Sequence, residues 1–318
     1  MIWNESKECM SREQMHDLQS KRLRKLVSTV YHNTPFYRRK MQEMDITPDD
    51  IRSIDDIVKL PFTTKQDLRD NYPFGLQAVP TSEIVRIHAS SGTTGNPTIV
   101  GYTRHDLEIW QESIARCLTA YGITRNDIFS VGYGYGLFTG GLGAHYGAEY
   151  VGATVIPTST GNTEKHVRLI RDLGITGIAC TPSYALYLAE TIEKMGIDPQ
   201  MLKLRVGMFG AEPWTENMRK EIESRLHLSA YNCYGLSEIM GPGVAHECEC
   251  KNGSHILEDH YYPEIISPET LQPLPFGQTG ELVFTTLTKE GMPLLRYRTK
   301  DLTSLIEGIC DCGRTNVR

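Results

Sequence analysis

The sequence predicts an α/β fold: a mostly parallel sheet flanked by helices, followed by a small antiparallel β region. Three patterns support this. From Ile128 to Leu226, short β-branched runs alternate with amphipathic stretches, as repeated β–α units require. Before them, apolar residues recur at helical spacing. After Met240 the helical period gives way to two-residue alternation broken by turn signals. The 318 residues thereby divide into a helical part over 1–80, an α/β core over 81–240 and a β-rich part over 241–318.

Leu18, Leu23, Leu26, Val27 and Val30 share one face opposite Lys and Arg, so helix is expected through Met41. Thr63-Thr64-Lys65-Gln66 reads as a capping box, with Thr63 at N-cap and Gln66 at N3, opening another helix. Residues 84–87 alternate as a strand, and 104–121 are helical up to Gly122. Strands are expected over 128–131, 153–157, 178–181 and 205–209, with helices over 163–173, 184–195 and 214–226. Ligands gather at the carboxyl ends of such strands, where Gly210-Ala211-Glu212 and Tyr234-Gly235 fall. Residues 261–266 and 281–286 alternate as antiparallel strands or part of a small barrel.

The net charge of −6 gives no basis for a nucleic-acid or anionic-membrane partner. No apolar run is long enough to span a bilayer, and Met1-Ile2-Trp3-Asn4-Glu5-Ser6-Lys7-Glu8 lacks the apolar centre of a signal peptide, so the cytoplasm is expected. Of eight cysteines, Cys9, Cys117, Cys180 and Cys233 are scattered, and the rest form two C-x-C pairs, Cys248/Cys250 and Cys310/Cys312. Such pairs in a reducing compartment favour metal over disulfide, and four soft donors suit tetrahedral Zn²⁺. Cys310 and Cys312 precede Gly313, which permits a tight turn; Cys248, Cys250 and His255 compete for the other two places.

His88-Ala89-Ser90-Ser91-Gly92-Thr93-Thr94-Gly95-Asn96-Pro97-Thr98 follows the 84–87 strand directly. Glycine lets backbone N–H groups approach an anion, and hydroxyls add rotatable donors, so this loop reads as a phosphate cradle. It is not a Walker loop, because the Gly-Lys-Ser/Thr ending is missing. Gly210-Ala211-Glu212-Pro213-Trp214, Tyr234-Gly235-Leu236-Ser237-Glu238 and Arg296-Tyr297-Arg298-Thr299-Lys300-Asp301 follow it in the chain. Together these resemble the ordered core motifs of the adenylate-forming, acyl-CoA synthetase superfamily. Tyr133-Gly134-Tyr135-Gly136-Leu137-Phe138-Thr139-Gly140-Gly141 and Ile256-Leu257-Glu258-Asp259-His260-Tyr261-Tyr262-Pro263-Glu264 narrow the resemblance to phenylacetate–CoA ligases, from about Leu23 onward.

The resemblance implies the large N-terminal domain of the adenylate-forming fold and a ligase that spends ATP to join an aryl acid, such as phenylacetate, to coenzyme A. It implies roles residue by residue. Ser90, Ser91, Gly92, Thr93, Thr94, Gly95 and Asn96 would grip the β- and γ-phosphates, with Thr93, Thr94 and Glu238 nearest the chemistry. Asn96 stands where the family usually has Lys, which weakens the charge the loop brings. Tyr234 would stack on adenine beside Gly210, Ala211 and Glu212; Gly235 and Ser237 shape that turn. Asp301 would accept both ribose hydroxyls, and Glu238 would help place Mg²⁺. Tyr135, Phe138, Gly140, Gly141 and Pro242 would form the acid pocket. The family pattern favours Cys248, His255, Cys310 and Cys312 as structural zinc ligands, with Cys250 in place of His255 as the alternative.

Two other functions fit the same motifs: an enzyme adenylating for a different acceptor (a deazaflavin cofactor or a carrier protein), and a non-catalytic nucleotide-binding protein. Relatives of this type continue past the Cys-Gly-Arg segment into a small C-terminal domain with the adenylation lysine, so this chain is expected to represent the domain before it. Association into a homodimer is left open.

Overall fold

The computed structural model describes residues 1–90 and 97–318. In chain order the strands are β1 Arg86–Ala89, β2 Ile99–Tyr102, β3 Ile128–Val131, β4 Thr154–Ile156, β5 Gly177–Cys180, β6 Val206–Phe209, β7 Ser229–Leu236, β8 Gly241–His246, β9 His255–Ile256, β10 Tyr261–Ile266, β11 Gly280–Thr286 and β12 Tyr297–Thr303. The chain forms two compact units. One comprises Met1–Trp3, Trp110–Leu236 and Gly241–Ser254; the other comprises Asn4–Ile109, Ser237–Met240 and His255–Arg318. These bounds differ from the expected stretches 1–80, 81–240 and 241–318, because β8 lies beyond residue 240 yet pairs back onto β7.

The first unit carries the expected β–α repeats. Its strands run in the order β4-β3-β5-β6-β7-β8, with parallel pairing from β4 to β7 and β8 antiparallel to β7. Every residue of β5 and β6 is buried, as a sheet covered on both faces demands. Val167, Ile170, Ile178, Leu188, Phe209 and Ile222 interlock beneath it. Caps fix the helix starts. Asn162 accepts from Lys165 N–H, Thr181 from Tyr184 N–H and Thr215 from Met218 N–H. The Thr181 cap with Pro182 at N1 begins one helix before 184, and the Thr215 cap begins another at Glu216, after the expected 214. Trp214 is thereby left outside, donating from Nε1 to Asn232 Oδ1 at 2.9 Å.

In the second unit, β1 and β2 form an antiparallel pair, and β10-β11-β12 form an antiparallel sheet. The expected N-terminal helix is two helices, Arg12–Asn33 and Pro35–Glu43, because Pro35 has no N–H to continue the first. The capping box lies one residue later than expected, on Thr64 and Asp67. Thr63 is otherwise engaged: its hydroxyl donates to Leu295 O at 2.7 Å and its N–H to Arg296 O at 3.1 Å. The strand expected over 84–87 begins two residues later, at Arg86. Arg296 and Glu264 form a buried bidentate pair at 3.1 and 2.8 Å.

Behind β3, His166 is buried between Ser130 Oγ at 2.7 Å and Tyr184 Oη at 3.1 Å. Desolvation pushes its pKa down to about 4. Its folded value lies below its unfolded one, so the unfolded chain takes the proton first and stability falls as pH drops from 6.5 towards 4. The loss is on the order of 2–3 kcal/mol. Unfolding of His166→Gln measured across that window should show a flatter acid limb; a limb identical to wild type contradicts the assignment.

Candidate functional site

In the first unit the Gly210-Ala211-Glu212 and Tyr234-Gly235 motifs fall where β6 and β7 end. A Cβ on Gly210 would lie 2.3 Å from Cys233 O, so only glycine lets these two backbones approach. Ala211 follows with φ +72°, a strained left-handed conformation of the kind that clusters at binding sites. Tyr133 Oη donates to Cys180 O at 2.7 Å and Gly210 O at 3.4 Å, tying the ends of β5 and β6 together. The Glu212 carboxylate accepts from Ser183 N–H at 2.6 Å, at the positive end of helix Pro182–Lys194. That bond orients the Gly-Ala-Glu turn. Tyr234 is half-buried on β7. The β7–β8 register shifts after it: Tyr234 pairs with Ala245, but Gly235 pairs with Pro242, so Gly243 and Val244 are extra. A Cβ on Gly235 would sit 1.9 Å from Gly241 O.

The aromatic–glycine segment lies between β3 and helix Thr139–Val151 of the same unit. Phe138 occupies the N-cap position and is exposed; Tyr135 is half-buried, with its hydroxyl 3.1 Å from His145 Nδ1. The glycines make room for the protein's own groups. A Cβ on Gly140 would meet the Phe138 ring at 2.4 Å, and one on Gly141 would meet Gly134 O at 2.5 Å. Trp110, not foreseen from the sequence, fills the space over Gly143 and donates from Nε1 to Pro242 O at 2.9 Å. Tyr135 and Phe138 thus sit on a segment whose backbone spacing is set by glycine, and Pro242 meets Trp110 over Gly143.

The second unit holds the remaining motif residues. Ser90 N–H donates to Thr98 O at 3.0 Å. Ser90 Oγ and Thr98 Oγ1 are buried and take no hydrogen bond among the described residues. Ser91, Gly92, Thr93, Thr94, Gly95 and Asn96, expected to grip phosphate, lie outside the described residues. Ser237–Met240 is held by two groups that the sequence gave no reason to single out. Tyr102 Oη donates to Met240 O at 3.0 Å and Ser237 O at 3.4 Å. The buried Lys289 ammonium donates to Ile239 O at 2.8 Å and Glu238 O at 3.1 Å, and lies 4.9 Å from the Tyr102 ring centroid. Burial draws its pKa down to about 8. Asp106 sets this lysine's segment by accepting from Glu290 N–H at 2.7 Å and Gly291 N–H at 2.9 Å.

The Glu238 side chain is 6% exposed, with Oε1 3.3 Å from Lys65 Nζ and no hydrogen bond to that oxygen among the described residues. A buried carboxylate oxygen in that condition is a fitting ligand for a hard cation. Asp301 is exposed on β12, where the register with β11 shifts between Glu281 and Val283.

His255, Cys310 and Cys312 also converge in this unit, their ligand atoms within 4.8 Å of one another. Cys312 Sγ lies 3.5 Å from His255 Nε2. The turn is tight: Gly313 N–H donates to Cys310 O at 2.8 Å and Cys310 N–H to Arg314 O at 2.9 Å, with Gly313 at φ +92°. Desolvation, helped by Arg314, pushes the His255 pKa down to about 4, leaving the neutral imidazole a metal needs. Cys248 is buried at the end of the first unit, and Cys250 is exposed.

Tyr102→Phe removes one donor from the 237–240 segment while keeping the ring beside Lys289. It should cost about 1 kcal/mol in denaturant unfolding and weaken ATP binding in calorimetry. Unchanged stability and affinity would show that the clasp does not support the site.

Comparison with known proteins bears directly on these motifs. Residues 8–287 match the family model of AMP-binding enzymes. The phenylacetate–coenzyme A ligase of Thermus thermophilus is 53% identical over 319 residues, spanning 100% of this chain and 72% of that protein. The phenylacetate–coenzyme A ligase of Pseudomonas putida is 57% identical over 95% of this chain and 69% of its own. Among solved structures, 2-hydroxyisobutyryl-CoA ligase in complex with 2-HIB-AMP and CoA is similar at 30% identity and a TM-score of 0.94, over 98% of this chain and 68% of that one. The chain belongs to the AMP-binding enzymes and, within them, to the phenylacetate–coenzyme A ligase family.

Proposed function

We propose that this chain carries out the ATP-dependent activation of phenylacetate for ligation to coenzyme A. The observation that carries this reading is the 53–57% identity to phenylacetate–coenzyme A ligases over 93–100% of this chain. The acid's carboxylate oxygen attacks the α-phosphorus of ATP and pyrophosphate leaves, giving an acyl-adenylate. The coenzyme A thiol then gives up its proton and attacks the acyl carbon, and AMP leaves.

Ser90, the loop that follows it and Thr98 hold the β- and γ-phosphates in this reading, supported by two buried hydroxyls at its neck. Tyr234 stacks on adenine beside Gly210 and Ala211, with Glu212 fixing their turn through Ser183. Asp301 accepts the ribose hydroxyls. Glu238, with a buried oxygen lacking a hydrogen bond among the described residues, holds Mg²⁺, which neutralises phosphate charge. Tyr135, Phe138 and Pro242 wall the aryl group, with Gly140 and Gly141 setting the wall's backbone. A structural Zn²⁺ belongs to His255, Cys310 and Cys312, with Cys248, seven residues before His255, as the fourth donor. A reducing, cytoplasmic setting fits a chain whose eight cysteines are all free thiols.

The test is phenylacetate-dependent release of pyrophosphate from ATP, followed by thioester formation on adding coenzyme A. Phe138→Ala should weaken phenylacetate binding by about 1–3 kcal/mol with ATP affinity nearly intact. Pyrophosphate release indifferent to phenylacetate would overturn the function, and equal losses for acid and ATP would move Phe138 from pocket to packing.

Protein purified without chelator should contain about one zinc per chain. Cys310→Ser and Cys312→Ser should each release the metal and lower the melting temperature, since structural zinc binding is coupled to folding. Zinc-free protein of unchanged melting temperature excludes the site.

A further inference from the structure

On the β11–β12 pair, Glu281 faces Leu302 and Val283 faces Arg298. Between these rungs β11 has Leu282 alone, while β12 has Thr299, Lys300 and Asp301. Three residues therefore oppose one, and Asp301 lies on the bulge. Lys300 accommodates the excess with φ +70°. Thr299 pins the bulge from within: its hydroxyl donates to Leu282 O at 2.8 Å and accepts from Asp301 N–H at 3.0 Å.

Two cations precede that carboxylate in the chain, and both are gathered by one acid. Glu281, with a side chain only 3% exposed, accepts from Arg298 Nη2 at 2.6 Å and Nε at 3.1 Å, and its Oε2 is 3.4 Å from Lys300 Nζ. Lys300 is itself 66% exposed and has every freedom to swing elsewhere. Glu281 is thus a nearly buried carboxylate that holds both cations beside the bulge spanning Arg298 to Leu302.

We propose that Glu281 is a positioning residue for nucleotide selection: it holds the Arg298 and Lys300 side chains down against β11, so that the Asp301 carboxylate keeps the geometry and the acceptor capacity to take the ribose hydroxyls of ATP. The inference rests on Asp301 being the ribose-binding residue. Charge is the essential property of Glu281. An amide there is nearly the same size but releases two cations beside Asp301, where each competes with a neutral hydroxyl for the same oxygens.

The experiment measures binding of ATP and of 2′-deoxy-ATP to this chain by calorimetry, with the melting temperature of each variant. Glu281→Gln should lower the preference for ATP over 2′-deoxy-ATP by about five- to tenfold, with 2′-deoxy-ATP, which keeps one of the two ribose hydroxyls, weakened less than ATP. Adding Lys300→Met to Glu281→Gln should recover part of that preference, because one of the loosened cations is gone. An unchanged preference in Glu281→Gln, or equal weakening of both nucleotides, would overturn the proposal by reducing Glu281 to a structural acid. Asp301→Asn separates the two levels. If it abolishes the preference while Glu281→Gln does not, the inference fails and the ribose assignment stands; if it leaves the preference intact, both fail. Should Glu281→Gln not fold, Glu281→Met, close in size to glutamate, removes the charge as well, and a fully wild-type preference in that variant would equally overturn the proposal.

Discussion

The Lys289 ammonium is the group on which the second unit's contribution to the site depends. Burying a cation is costly, and its lowered pKa records that cost. The structure offsets it with the carbonyls of Glu238 and Ile239, the face of Tyr102 and the segment-fixing carboxylate of Asp106. The result is a fixed path for Ser237–Met240, a stretch outside helix and strand that would otherwise have no ladder to set it. Glu238 inherits its direction from those main-chain bonds, so the geometry of this buried carboxylate is set through the backbone, by an amine and a phenol.

Backbone fit does the same work in the first unit. Gly210 and Gly235 permit approaches of 2.3 and 1.9 Å that no Cβ survives, and these bring the ends of β6, β7 and β8 into register. Tyr133 then spans the β5 and β6 termini with one hydroxyl. A site at the carboxyl edge of a parallel sheet is in this sense a by-product of strands ending together. The side chains placed there need little further support, and Glu212 takes its own from a helix N-terminus.

The repeating core was legible because each β–α unit advertises itself locally: apolar runs, capping Thr and Asn, and glycine at helix ends. The N-terminal break was less so, since the periodicity of Leu23, Leu26, Val27 and Val30 carries the eye past Thr34-Pro35. Of the site, residues that recur as motifs were visible, and their supports were not. Lys289, Asp106 and Glu281 look in sequence like ordinary solvated charges, and nothing in a linear pattern reports that a charge will be buried on main-chain groups. Trp110 sits inside a helical period and reads as core. Gly140, Gly141 and Gly143 lie against Phe138, Gly134 and Trp110, a fit that no periodicity announces. The packing of a segment against itself is a three-dimensional fact with no sequence period.

Both site-bearing antiparallel pairs depart from regular register by an even number: Gly243 and Val244 are surplus in β8, and three residues of β12 face one of β11. Parity matters in a strand, because side chains alternate between faces and an odd slip would turn every later residue inside out. An even surplus leaves inward residues inward on both sides of it. The sheet's hydrophobic ledger is therefore blind to these excursions. Their length is free to drift in steps of two without disturbing the core, so the same scaffold can acquire, reshape or lose the groups these excursions present while its interior stays untouched.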